Sequence, residues 1–166
     1  MSVLIIVAAR NEADRIGATI EALADAFPGA EIWVGDDASS DATAKLAAAA
    51  GARVVRAKRS LGKGGNATAA ARAALGALGE GANDDEAPPA PEVALLCDGD
   101  LAASAGRLRP LTAAVESGDC DLAVAAFAHR VGGGVGAARG AGRWAIRRAC
   151  GLDTQAPLSG QRAMSV

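Results

Sequence analysis

The chain has 166 residues, with 17 Lys plus Arg against 19 Asp plus Glu and a formal net charge of −2, a length that fits one domain with a core of its own. Apolar residues make up 51% and charged residues 22%, which excludes intrinsic disorder. The lack of a basic excess argues against nucleic acid or an anionic membrane as partner, and aromatics at 2% with no Tyr are too few for a base-stacking surface.

Val3–Ala9 is a continuous, β-branched apolar run of strand length. No apolar run reaches the roughly 18 residues of a membrane span, and this first one lacks the basic flank and cleavage site of a secretory signal. Ala13–Ala26 reads as a helix, because Ile16, Ile20, Leu23 and Phe27 recur at spacings of three and four and Pro28-Gly29 stops it. Glu31–Gly35 is a second strand around Ile32-Trp33-Val34. Asp41 is placed to cap a helix running to Ala50, which Gly51 ends. Arg53–Ala57 is a third strand, and a Gly-rich turn precedes a third helix, Asn66–Leu78.

Gly79–Glu92 carries Asn83-Asp84-Asp85-Glu86 and Pro88-Pro89-Ala90-Pro91 and reads as a polar surface loop inserted within the domain. Val93–Cys97 is a fourth strand, Arg107–Ser117 a fourth helix and Asp121–Phe127 a fifth strand. Gly132-Gly133-Gly134 with Gly136, Gly140 and Gly142 predicts a flexible stretch. A basic helix at Arg143–Cys150 and a Pro- and Gly-containing tail complete the chain. Strands alternating with helices imply βαβ units, hence an α/β fold with a mostly parallel sheet and helices on both faces. Cys97, Cys120 and Cys150 are odd in number, without metal spacing, and suit a reducing cytoplasm. His129 is the only histidine and reads as an ordinary loop residue.

In such sheets ligands bind outside the carboxyl ends of the strands, so the residues that follow each strand carry the functional argument. They are Arg10-Asn11-Glu12, then Asp36-Asp37-Ala38-Ser39-Ser40-Asp41, then Lys58 to Gly65, then Asp98-Gly99-Asp100. The last places two carboxylates at a strand mouth, with a glycine between them that lets both reach one ion. Mg²⁺ takes one or two carboxylates together with phosphate oxygens and water. A plain Asp-Gly turn explains the same residues, and a calcium loop does not, because Leu101-Ala102-Ala103 supplies no further ligand.

Gly62-Lys63-Gly64-Gly65 before a helix offers backbone N–H groups and one full positive charge to an anion. Taken alone, the segment is better explained as a helix-start turn with an exposed lysine. It is neither a P-loop nor a dinucleotide fingerprint, since Ala57 stands where the first P-loop glycine belongs and the first strand ends without Gly-x-Gly. Asp36-Asp37 puts two like charges side by side at a strand mouth, which points to something bound there.

Together and in this order, Val7-Ala8-Ala9-Arg10-Asn11-Glu12, Val34-Gly35-Asp36-Asp37-Ala38-Ser39-Ser40-Asp41-Ala42-Thr43, Leu61-Gly62-Lys63-Gly64-Gly65-Asn66-Ala67 and Leu96-Cys97-Asp98-Gly99-Asp100 resemble family 2 glycosyltransferases of the GT-A fold. The tail, Asp153-Thr154-Gln155 and Ser159-Gly160-Gln161-Arg162, is similar to a segment of polyprenyl- and dolichyl-phosphate sugar transferases and of enzymes that make glucosyl phosphoglycerate.

The resemblance implies that Asp37 accepts a hydrogen bond from the nucleobase, that Ala8 and Glu12 lie along the nucleoside, and that Lys63 meets the diphosphate. It implies Asp98 and Asp100 as an Asp-x-Asp pair for Mg²⁺ or Mn²⁺, Asp100 being the stronger ligand. Arg162 would face donor diphosphate or acceptor phosphate. A glutamine that joins the metal shell in phosphoprenyl mannose synthases is Ala102 here, Ala156-Pro157-Leu158 is inserted in the tail, and the chain stops six residues after Gly160, where relatives continue. The last point implies a GT-A fold shortened on its acceptor side, with residues 1–105 as the nucleotide-sugar half and 106–166 as an incomplete acceptor half of one domain.

The implied reaction is metal-assisted, inverting transfer of a sugar from a UDP- or GDP-linked donor to an acceptor. Asp153 is the one apparent base, which favours an acceptor that is already anionic: a phosphorylated small molecule or a lipid phosphate. Two rivals stay open, a non-catalytic nucleotide-sugar-binding domain and a sugar-nucleotidyltransferase, the second lacking its Gly-rich basic loop after the first strand. Peripheral membrane association and self-association are also left open.

Overall fold

The computed structural model describes residues 2–80, 90–126, 136–157 and 159–166. His129, Gly132-Gly133-Gly134, the end of the expected fifth strand at Phe127 and most of the expected polar loop lie outside the described residues.

Six strands form one sheet in the order β3-β2-β1-β4-β6-β5. The strands are β1 (Val3–Ala9), β2 (Glu31–Asp36), β3 (Arg53–Arg56), β4 (Val93–Asp98), β5 (Leu122–Val124) and β6 (Arg162–Ser165). β1 lies at the centre, parallel to β2 with Ala8 opposite Gly35, and parallel to β4 with Ala8 opposite Asp98. β6 runs antiparallel to both β4 and β5. The sheet is thus mostly parallel, as expected, with one reversed strand that replaces the irregular tail.

Both faces of β1 are covered, which is why its sequence is apolar without alternation. Val3, Ile5, Val7 and Ala9 enter one core with Ile16, Ile20 and Leu23 of α1 (Ile16–Ala26), Ala47 of α2 (Thr43–Ala49) and Val115 of α4 (Arg109–Glu116). Leu4 and Ile6 enter the other, against Trp33 and against Ala70 and Ala74 of α3 (Gly62–Glu80). Ile5, Ile16, Ile20 and Leu23 are at most 1% exposed, and burying each such side chain contributes about 1.5–3 kcal/mol. The alanines of α3 let the helix lie close on the sheet. Trp33 fills the remaining space there, with the guanidinium of Arg53 stacked 5.2 Å from the ring centroid.

Several boundaries differ from the sequence expectation. α1 begins at Ile16, because the preceding residues form a turn in which Arg15 and Ile16 both donate to the carbonyl of Glu12. α3 begins at Gly62, so the glycine-rich segment is the first turn of the helix rather than a turn before it. The expected fourth helix is a 3-10 helix, Ala102–Leu108, followed by α4, which starts where Pro110 can occupy a first-turn position. The basic helix is longer than expected, α5 (Gly136–Cys150). Among the described residues the cysteines are unpaired, Cys97 buried and Cys150 exposed, and no helix is long and apolar enough to cross a membrane.

Candidate active site

The carboxyl ends of β1, β2 and β4 meet at one edge of the sheet, and the loops that leave them are joined by side chains. The N–H of Asn11 donates to Ser39 Oγ at 2.9 Å, that of Glu12 to Thr43 Oγ1 at 2.8 Å and that of Ala13 to Asp41 Oδ2 at 3.2 Å. Asn11 Oδ1 accepts from the N–H of Ser40 at 2.9 Å. Ser39 and Thr43 are buried, so the two bonds they accept are partly shielded from water, and together the four fix the loop beyond β1 against the loop beyond β2. Asp41 also accepts from the N–H of Thr43, the first residue of α2, at 2.9 Å, although Ala42 rather than the expected Asp41 takes the cap position. These bonds hold its carboxyl below the usual range, the Thr43 hydroxyl contributing most.

The two adjacent aspartates at the end of β2 have different partners. Asp36 is fully buried and pairs with Arg56 Nε at 3.1 Å across the β2–β3 register. Asp37 accepts from the N–H of Leu61 at 2.6 Å and from Ser60 Oγ at 2.8 Å, with Arg10 3.8 Å away. The Leu61 N–H, followed by the Ser60 hydroxyl, holds the Asp37 carboxyl below the ordinary carboxylate range. Asp37 therefore ties the end of β2 to the turn that delivers α3. Ser60 carries no signal in the sequence, because its role depends on a carboxylate more than twenty positions away.

Gly35 permits α3 to approach. A Cβ at this position would lie 2.9 Å from both the side-chain amide nitrogen and the backbone oxygen of Asn66. Asn66 is buried, and its amide donates to the Gly35 carbonyl. This contact seats the first turn of α3 on the sheet and brings Lys63 to the mouth of β4.

There the Lys63 ammonium pairs with Asp98 Oδ1, while Asp98 Oδ2 accepts from the amide nitrogen of Gln161 at 2.9 Å. Gly160 lies directly beside them: a Cβ on it would fall 2.6 Å from Asp98 Oδ2 and collide with the Lys63 ammonium. Asp100, about half exposed, faces Arg15 Nη1 at 3.9 Å, and Arg15 also binds Glu12 Oε2 at 2.9 Å. Arg15 thus links two predicted site residues that the sequence gives no reason to connect.

The two carboxylates of Asp98-Gly99-Asp100 have separate cationic partners. Ion pairs this exposed are worth about 0–1 kcal/mol, so Arg15 is easily exchanged for another cation. Among the described residues no three His, Cys, Asp or Glu side chains gather as a metal cage. Two carboxylates at a solvent-open mouth nevertheless suit a hard divalent ion that completes its shell with phosphate and water, and the ammonium on Asp98 shows that a cation fits there.

The remaining predicted residues are placed as follows. Ala8 is half-buried in β1 between Gly35 and Asp98. Arg162 opens β6 and its Nε donates to the Ser159 carbonyl at 2.8 Å. Asp153 is exposed and accepts from Arg143 Nη2 at 3.0 Å. Arg147 and Arg148 are exposed on α5.

The sequence profile of glycosyl transferase family 2 matches residues 4–154. The chain belongs to that family. Solved structures agree with this glycosyltransferase fold. Glucosyl-3-phosphoglycerate synthase from Mycobacterium tuberculosis, in complex with Mn²⁺, UDP-glucose and phosphoglyceric acid, superposes with a TM-score of 0.70 at 21% identity, covering 99% of this chain and 56% of that one. The same protein with Mg²⁺ and UDP gives 0.70 at 22%, covering 99% and 56%, and another of its structures gives 0.65 at 25%, covering 99% and 57%. The chain thus spans just over half the length of these glycosyltransferase-fold relatives. No protein with a curated description matches it by sequence.

Proposed function

We propose that this chain binds a nucleoside-diphosphate sugar at the carboxyl edge of its sheet and transfers the sugar, as a hexosyltransferase, to a phosphorylated acceptor. The observation that carries the reading is the meeting of Lys63, in the first turn of α3, with Asp98 at the end of β4 within a family 2 fold. A diphosphate and a divalent cation need these two charges side by side. The structural relative that holds Mn²⁺ and UDP-glucose supports this choice of donor class, while UDP and GDP both remain options for the nucleotide.

In this reading the nucleoside lies over Ala8 and Glu12 and against Asp37. The bonds from Ser60 and Leu61 leave Asp37 further lone pairs for a base N–H. The diphosphate meets Lys63 and the N–H groups of the first turn of α3. Asp98 and Asp100 would hold Mg²⁺ or Mn²⁺, with Arg15 leaving Asp100. A divalent ion there would neutralise charge that builds on the departing diphosphate.

Residues 1–105 form the donor half, and residues 106–166 contribute part of the acceptor side. Arg143, Arg147, Arg148 and Arg162 supply positive charge for a phosphate on the acceptor, whether on a small molecule or a lipid. Asp153, bound to Arg143, is the proposed base for an alcohol nucleophile. A phosphate nucleophile is already anionic near neutral pH and needs none. In-line attack would invert the anomeric centre, an outcome that proton NMR of the product reads directly. We place the reaction in the cytoplasm, in solution or at the membrane surface.

The test is a donor panel of UDP- and GDP-sugars with Mn²⁺, assayed by released nucleoside diphosphate with phosphorylated and unphosphorylated acceptors, beside calorimetry of donor binding. Turnover confined to phosphorylated acceptors, reduced by Arg147→Ala or Arg162→Ala at unchanged donor affinity, is the expected result. Donor binding without turnover on any acceptor would make the chain a binding domain, and no binding of any nucleotide sugar would remove the reading.

A further inference from the structure

Gln161 lies outside the matched family span, residues 4–154, and nothing in its residue type points to a role. It is a polar side chain only 4% exposed, and it is held at three points. Its backbone carbonyl accepts from the N–H of Ala125 at 3.0 Å, its side-chain Oε1 accepts from Ser159 Oγ at 3.3 Å, and its amide nitrogen donates to Asp98 Oδ2 at 2.9 Å. The neighbouring Gly160 leaves no space beside this carboxylate, since even a Cβ would meet Asp98 and Lys63. Asp98 is therefore fixed in rotation by a neutral donor on one oxygen, while its other oxygen carries the mobile charge of Lys63.

We propose that Gln161 is a positioning residue for Asp98: it occupies Oδ2 so that Oδ1 alone is offered to a divalent cation, and Lys63 balances that oxygen until the cation displaces it. The inference rests on the proposed function, because it needs Asp98 to be a metal ligand. Three points favour it. A neutral amide orients the carboxylate without cancelling its charge, which a lysine in its place would do. Chelation through both oxygens would break this partly buried hydrogen bond, whereas binding through one keeps it. The displaced ammonium is released beside the diphosphate, where its charge is next required. Hydrogen-bond partners behind metal ligands typically account for about 10–100-fold in metal affinity, which sets the size of the effect.

The experiment is titration of the whole chain with Mn²⁺, followed by electron paramagnetic resonance, with and without saturating UDP. Gln161→Leu, which keeps the volume and removes the donor, is expected to weaken Mn²⁺ by about 10–100-fold and to leave UDP affinity in excess chelator unchanged. Lys63→Ala is expected to tighten Mn²⁺ binding to the UDP-free protein, since a competing cation is gone, while weakening UDP. Should Gln161→Leu not fold, Ser159→Ala removes the hydroxyl that anchors the Gln161 amide and should still weaken Mn²⁺ several-fold. Mn²⁺ affinity equal to wild type in Gln161→Leu or, failing that variant, in Ser159→Ala overturns the role of Gln161. Unchanged or weaker Mn²⁺ in Lys63→Ala without UDP overturns the exchange. Absence of Mn²⁺ binding to wild type, even with UDP, refutes the metal reading itself, a distinct result from the other two.

Discussion

Replacing Gly35 with Ala tests how the sheet holds Lys63 in place. The added Cβ would sit 2.9 Å from the Asn66 amide nitrogen, 2.9 Å from the Asn66 backbone oxygen and 3.0 Å from its Cγ. All three are below the contact distance of carbon with nitrogen, oxygen or carbon. One of these atoms belongs to the helix backbone, so a side-chain rotation cannot relieve the strain and α3 must move off the sheet. Overpacking of this kind costs about 1–3 kcal/mol. For a domain of this length each kcal/mol lowers Tm by about 2–4 °C, so a drop of about 2–12 °C is expected.

Differential scanning calorimetry measures that drop, and UDP affinity should fall with it, because the moved turn carries Lys63. The double variant with Asn66→Ala supplies the control. The two residues touch, so their effects should be non-additive by at least 0.5 kcal/mol. A Tm equal to wild type, or strict additivity, would show that Gly35 is not what permits the helix to approach.

Asp100→Ala should preserve Tm within about 2 °C, because its partner Arg15 is exposed and such pairs contribute little, while abolishing the gain in UDP affinity that Mn²⁺ provides; a metal-dependent gain that survives would remove Asp100 from the metal site. The depressed carboxyls of Asp37 and Asp41 make stability depend on acid pH. Both folded values lie below the ordinary 3.8, so their contribution is fully present above that pH and is lost as pH falls below it through the folded values. Urea unfolding of wild type against Asp37→Asn should show a stability gap that is constant near neutrality and closes below about pH 4; a gap that widens on acidification would reverse the sign of the argument.

The parts of the fold that can be read from the chain are those set by local pattern. Val3–Ala9 reads as a strand because it is buried on both sides, and the spacing of Ile16, Ile20 and Leu23 marks the face of α1 that enters the core. The acidic and basic strand ends are equally legible, because turn chemistry and charge are local. What escapes depends on distant partners. Arg162–Ser165 has no β-branched residue and is a strand only because β4 and β5 pair with it on both sides. Gly62 opens a helix against its propensity, because Asn66 anchors that turn to Gly35 and Ala70 and Ala74 fit beneath Trp33. Arg15, Ser60 and Gln161 are unremarkable as residue types. Their meaning comes from Asp100, Asp37 and Asp98, which only the folded chain brings to them.

The reversed strand β6 also bears on the order in which the molecule is made. β4 docks beside β1 with connections already synthesised, but β5 touches the sheet only through β6, which is translated some forty residues later. On the ribosome the four parallel strands are available first, because synthesis runs from the amino end, while Leu122–Val124 has α4 beside it but no strand to pair with. The outer edge of β4 stays open during that interval, and an unpaired edge is a template for wrong partners. Arrival of Ser159–Ser165 would close that edge, recruit β5 and deliver Gln161 to Asp98. Closing that edge and completing the carboxylate's surroundings would then be one event, so a nascent chain has the charges of its site before it has the geometry to use them.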